Sequence, residues 1–424
     1  MTLTASGEAT TPRRGLRWTL IGRLTMTAAN AALMLVAALV FFDDETFGRF
    51  AVVVAAQLLL SRAVLAGLDQ GVVRLYTAER APDQVVRAAL WITGSLGLIA
   101  ILGGAVMALT GPRLTLDPSL AFAIGLGAAG SAWFDLGCSI RLARVDYRAA
   151  GLWMAAMPIA RMALTIVACV IARDSLLPFV TFPLVTLLGG LTLLIDAARR
   201  HGLHLDPSFA MRVLRYSWWI GLGDAAAVLG MQSGLFMLTG VGMHAEAGRY
   251  GFALQIAQGF FAVFVAFYQA LLPKASRLSS AAALRRFLGA TWRTAWILVF
   301  AMIATAAVVT LAAPPIVTVI RPELADFVPG FVGLTAFVAV LILEAPLGVA
   351  CQYLLRPRLH VATLWLRCAA IAVLGLWLVP AQGELGAGVA QAGGAVVAAL
   401  TLGLLVFAAI ERRRREEVTA CAAS

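Results

Sequence analysis

FGRFAVVVAAQLLLSRAVLAGLDQGVVRL (residues 47–75) decides how the chain folds. Its only charged residues are Arg49, Arg62, Asp69 and Arg74, and a membrane crossing takes about 20 predominantly apolar residues. Two features do not belong to a plain span. Arg62 stands near its middle, where an ionised guanidinium costs at least about 2.5 kcal/mol on insertion scales, and Asp69 follows two helical turns later. The Gly-Arg-aromatic at 48–50 is the other, because it comes back.

AGRYGFALQIA (247–257) repeats FGRFAVVVAAQ (47–57) at an offset of 200 residues. At the same offset Asp69 faces Gln269 and Arg74 faces Lys274, and basic residues follow at Arg87 and Arg286. A basic-flanked span precedes each copy, LRWTLIGRL (16–24) and VLRYSWWIGL (213–222). The chain therefore reads as a duplication.

Composition agrees with the membrane reading. The 424 residues are 61% hydrophobic and 13% charged, with mean hydropathy +0.89, where soluble domains carry about 25% charge. Twelve spans are expected at about 18–42, 48–73, 88–110, 119–140, 149–172, 176–197, 216–240, 248–272, 292–313, 327–353, 361–380 and 384–410. The first is too long for a signal-peptide core and has no cleavage pattern after it, so it is expected to stay in the mature protein. The connections are too short for a soluble domain. The longest on one side is PPIVTVIRPELAD (314–326); on the same side lie GPRLTLDP (111–118), RDS (173–175) and AQGE (381–384).

Arg49, Arg113, Arg173, Arg249 and Arg321 flank those junctions, and Arg62 and Arg161 lie mid-span. The other basic residues cluster on the opposite side, which the positive-inside rule makes cytoplasmic, with both termini. The net charge of +11 thus reports orientation, not nucleic-acid binding. The expected organisation is an all-α polytopic protein: a cytoplasmic segment 1–17, a first lobe 18–197 (spans 1–6), a cytoplasmic inter-lobe loop 198–215, a second lobe 216–410 (spans 7–12) and a basic cytoplasmic tail 411–424. Six spans per copy keep the copies in one orientation, so a pseudo-two-fold along the membrane normal should relate the lobes.

No cofactor or metal is expected. The five cysteines form no CxxC pair, and the HxxH of His201 and His204 reads as a solvated loop with no further ligand near.

The basic entry, the acidic turn ending in Phe-Gly-Arg-Phe and the second span ending GLDQGVVRLYTAER resemble the N-terminus of bacterial polysaccharide exporters. More narrowly, they resemble the O-antigen (Wzx-type) lipid-linked oligosaccharide flippases of the multidrug/oligosaccharidyl-lipid/polysaccharide (MOP) exporter superfamily. GRYGFALQIAQGFFAVFVAFYQALLPKASRL (248–278) is similar to that family's junction between spans 7 and 8. The resemblance implies two six-helix lobes in a V, as in multidrug and toxin extrusion (MATE) transporters. It also implies alternating access, and a substrate of undecaprenyl-diphosphate-linked sugar carried from the inner to the outer leaflet of the bacterial cytoplasmic membrane. Membrane lipids and polysaccharide assembly proteins would be the partners.

Intramembrane polar residues supply the candidate site. Arg62 in span 2 and Arg161 in span 5 (PIARMALTI) are too deep to snorkel. Asp135 in span 4 (SAWFDLGCS) can pair with one of them but cannot neutralise both. Guanidinium forks bind phosphate oxygens bidentately and stay charged at any pH. Arg62 has no counterpart in the second copy, where Ala262 stands, which favours an anion over a scaffold. Asn30 and Gln258, with Gln255 and Gln391, suit sugar hydroxyls or bonds between helices. Asp224 in span 7 and Glu344 in span 10 suit either charge pairing or H+ or Na+ coupling. The family's cation-coupled members carry an acid on span 7, which Asp224 would match, while span 11 offers Arg367 and no acid.

Two other readings compete. A MATE-like cation-coupled exporter of small molecules shares the layout, although central arginines suit its cationic substrates poorly. A membrane glycan polymerase or ligase would need a catalytic loop outside the membrane, and no segment supplies an acid–base or nucleophile–base set.

Overall fold

The computed structural model describes residues 12–79, 81–110, 118–172, 176–204, 206–275, 281–354 and 357–423. The expected outer turns at 111–117 and 173–175 lie outside them. The described chain is helical: α1 (Pro12–Val36) runs into a π-helical turn (Ala37–Phe41), followed by α2 (Asp44–Leu65), α3 (Leu68–Ala78), α4 (Pro82–Thr110), α5 (Pro118–Ala143), α6 (Tyr147–Ile171) and α7 (Leu177–His201). Then come α8 (Pro207–Gly240), α9 (His244–Ala275), α10 (Ala281–Ile320), a 3-10 turn (Pro322–Phe327), α11 (Val328–Leu354) and α12 (Pro357–Ala423).

Eleven helical runs among the described residues are long and apolar enough to cross a membrane, and they follow the expected spans in order. Leu109, Leu311, Val319, Leu376 and Trp377 point outward along α4, α10 and α12, a surface only lipid would cover. This is a multi-pass membrane protein. The last run is Arg358–Glu417, 60 residues, broken only at Gly383 (φ 55°, ψ −126°). The expected AQGE turn is thus a single-residue break.

Two further expectations are corrected. Most of 314–326 is helix, because α10 carries Pro314 and Pro315 within it to Ile320 and the 3-10 turn follows. The 198–215 loop shrinks to a few residues, because α7 reaches His201 and α8 starts at Pro207. Asp206 caps that start, accepting from Ser208 N at 3.0 Å and Ser208 Oγ at 2.7 Å. The Ser208 bonds hold its carboxyl below the usual range. Asp43 does the same for α2, its carboxyl lowered by hydrogen bonds from Thr46.

The helices form two compact units, Met1–Leu33 with Leu60–Gly221, and Met34–Leu59 with Leu222–Ser424. Residues 34–59 therefore belong with the second half of the chain. In the first unit, Val64, Leu65, Leu68 and Val72 pack with Val85 and Ala89 of α4, Leu136 and Ile140 of α5, and Phe209 and Val213 of α8. In the second, the repeat is visible as a contact. A methyl group on Gly48 would strike the His244 carbonyl, and one on Gly248 would strike the Asp44 carbonyl. The same two positions of each copy thus meet reciprocally, and only glycine lets the backbones approach so closely.

Candidate functional site

Span 2 is not one straight helix. Ala66 (φ 49°) and Gly67 (φ 72°) break it between α2 and α3. A side chain at Gly67 would lie 2.5 Å from both Gly221 N and Ser217 O, so the start of α8 packs directly on the break. The Gly67–Gly71 spacing, common in membrane helices, here marks a real close approach.

Arg62 Nη1 lies 3.8 Å from Asp69 Oδ2 across the break, and its Nη2 lies 3.0 Å from Asp135 Oδ2 on α5. All three side chains keep partial exposure, 24%, 16% and 29% respectively. Asp69 Oδ1 is buried with no hydrogen-bond partner.

Arg161 is held differently. It sits on α6 one turn after Pro158 and is 9% exposed. It donates from Nη2 to Asn30 Oδ1 of α1 (2.6 Å) and from Nη1 to Thr186 Oγ1 of α7 (3.2 Å). Its guanidinium carbon stands 4.2 Å from the Phe182 ring centroid. Both acceptors are neutral, Nε has no partner, and Asp135 acts on it only at electrostatic range. A buried guanidinium without a bonded carboxylate is an uncompensated charge.

The structure therefore joins Arg161 with Asn30, and Arg62 with Asp135, all within the first unit. Gln258 (α9) and Asp224 (α8) are half-buried residues of the second unit. Glu344 is fully engaged: both its carboxylate oxygens lie 2.6 Å from Arg367 Nη2 of α12, with both side chains buried. Gln391 is a knot between helices. It donates to Gly230 O, Met231 O and Ser233 Oγ and accepts from Tyr250.

Sequence reasoning missed two partners. Asp69 stands seven residues after Arg62 in the sequence, and the structure pairs the two across the break at Ala66–Gly67. His201 is not a solvated loop residue. It ends α7, buried, with Nδ1 2.7 Å from Asp83 Oδ1 and its carbonyl accepting from Arg87 Nε at 2.5 Å. No His, Cys, Asp or Glu group among the described residues could hold a metal ion.

No protein-family model and no curated protein matches this chain. Solved structures do. The lipid II flippase MurJ, in an inward closed conformation, superposes with TM-score 0.70 at 12% identity, covering 92% of this chain and 87% of that one. A multidrug resistance MATE transporter of the MOP superfamily, inward-facing, gives TM-score 0.67 at 16% identity over 95% and 99%. A MOP-superfamily transporter from Pyrococcus furiosus, described as having a binding pocket of reversed polarity, gives 0.57 at 17% over 94% and 96%. At such identities the likeness is one of fold: the chain has the fold of the MOP superfamily, and the neighbours that share it are transporters, not enzymes.

Proposed function

We propose that this protein flips a lipid-linked oligosaccharide, carried on undecaprenyl diphosphate, from the inner to the outer leaflet of the bacterial cytoplasmic membrane by alternating access. Arg161 carries the reading. A guanidinium buried among neutral acceptors is suited to an anion that visits it, and a diphosphate matches its fork. Arg62 is the second contact, and Asn30 is assigned to the substrate's polar groups. We read the 60-residue final run as two crossings, since about 90 Å of helix far exceeds a hydrocarbon core of about 30 Å. Twelve crossings put both termini in the cytoplasm, which reporter fusions at each end can check; an external C-terminus would overturn it.

The test is flipping in proteoliposomes of undecaprenyl diphosphate bearing one N-acetylglucosamine. Arg161→Ala should lower the rate at least about 100-fold and Arg161→Lys should keep part of it, since the charge stays and the fork is lost. Unchanged flipping in Arg161→Ala overturns the reading. A MATE-like small-molecule exporter is the second reading, favoured by near-complete coverage of a MATE chain; retained drug efflux in the same variant supports it.

A further inference from the structure

We infer that the first unit binds its diphosphate together with a proton, taken up by Asp69. This rests on the flippase reading and concerns the same cluster. Arg62 lies against Asp69 and Asp135, and Arg161 is within electrostatic but not bonding range of Asp135, so the four charges sum to zero before any ligand arrives although Arg161 has no bonded counter-ion. A diphosphate diester adds two negative charges in a place where water is scarce. Each unit of uncompensated charge there is costly, and the arginines cannot gain protons. The carboxylates can.

Asp69 is the better proton acceptor of the pair. It is the less exposed, its oxygen stands 3.8 Å from Arg62 where that of Asp135 stands at 3.0 Å, and its Oδ1 is buried with no donor. When a phosphate oxygen takes over Arg62, Asp69 loses its weak counter-charge; a proton from water then adds to the carboxylate, giving a neutral acid whose O–H can donate to the ligand. The α4 helix packed on α3 brings only Asp83 and Arg87, engaged with His201. From α5 come Asp135 and Arg141, the latter held by Asp196 at 2.7 Å. The start of α8 brings Arg212 and Arg215, and α3 itself carries Arg74.

Calorimetric titration of the purified full chain in nanodiscs with farnesyl-diphospho-N-acetylglucosamine tests this, at about pH 8, in two buffers of different ionisation enthalpy. Each phosphate of that diester has a single, strongly acidic ionisation, so the probe brings two negative charges and carries no titrating proton there. Wild type should take up about one proton per ligand, and its Kd should rise about tenfold per pH unit. Asp69→Asn should bind without proton uptake and with a flat Kd, and Asp135→Asn should keep the uptake. Binding that needs Arg161 but moves no proton in wild type overturns the inference and leaves the flippase reading standing. Binding indifferent to Arg161→Ala, or absent in wild type, overturns both. Uptake that persists in Asp69→Asn overturns the assignment of the proton.

Discussion

Each unit buries an arginine in its helices, and the two are treated in opposite ways. Arg367 in the second unit meets both oxygens of Glu344 at 2.6 Å. Arg161 in the first meets an amide oxygen and a hydroxyl. Both leave Nε unpartnered, so incomplete hydrogen bonding does not tell them apart. Charge does. Where one helix supplies the guanidinium and its neighbour the carboxylate, the pair is complete within the fold. Where the neighbours supply only neutral acceptors, no carboxylate bonds the guanidinium, and under the proposed function the substrate's diphosphate is the anion that meets it.

The sharpest break of this contrast is Glu344→Ala. It strands Arg367 in the interior and should destabilise the protein by about 3–5 kcal/mol, seen as a large drop in the thermal midpoint and in accumulated protein. Replacing both by Leu should restore most of it. If Glu344→Ala folds normally, the second unit's pair is not structural and Glu344 returns as a coupling candidate.

Gly248→Ala comes next. The added methyl must displace the Asp44 backbone, and overpacking of this kind costs about 1–3 kcal/mol. The thermal midpoint should fall while Gly259→Ala, which meets nothing within 4 Å, leaves it in place. Equal behaviour of the two would remove the close contact of the repeat copies.

A smaller effect is expected at Arg62, which stands between the two cases: it has carboxylates and partial exposure. A double-mutant cycle with Asp135 should give a coupling of about 1 kcal/mol in stability. Flipping should not return in Arg62→Ala with Asp135→Ala, because the ligand contact is gone whether or not the ion pair is. Recovery in the double variant would make Arg62 a scaffold residue.

How far the sequence told this in advance depends on distance along the chain. The apolar spans are local patterns, and the eleven helical runs follow them in order. Asn30 and Arg161 were separately legible as polar residues at span centres, but their 2.6 Å bond depends on how α1 and α6 pack. Asp69 was hidden for a finer reason. Span 2 read as one helix places it two turns from Arg62 and gives no account of the left-handed pair Ala66–Gly67 between them. Gly67 was the available signal, and its ordinary-looking GxxxG spacing concealed it. His201 was misread because HxxH among arginines looks solvated, whereas a helix end covered by α4 is not.

The smallest change in stability should come from Arg161 itself, and it is the most telling. Arg161→Met keeps an unbranched apolar stem but ends two atoms sooner, removes the charge and the guanidinium over the Phe182 ring, and leaves Asn30 Oδ1 and Thr186 Oγ1 to find other partners. Losing two hydrogen bonds costs about 1–3 kcal/mol, and releasing a buried, carboxylate-free guanidinium returns a comparable amount. Thr186 already donates to the Phe182 carbonyl at 2.8 Å, so one of the two partners is not orphaned. The thermal midpoint should therefore stay within about 1 kcal/mol of wild type while flipping is lost. A midpoint that falls as far as that of Glu344→Ala would place Arg161 among the structural charges. The distinction between the two units would then be gone, because the first arginine would be serving the fold as the second does.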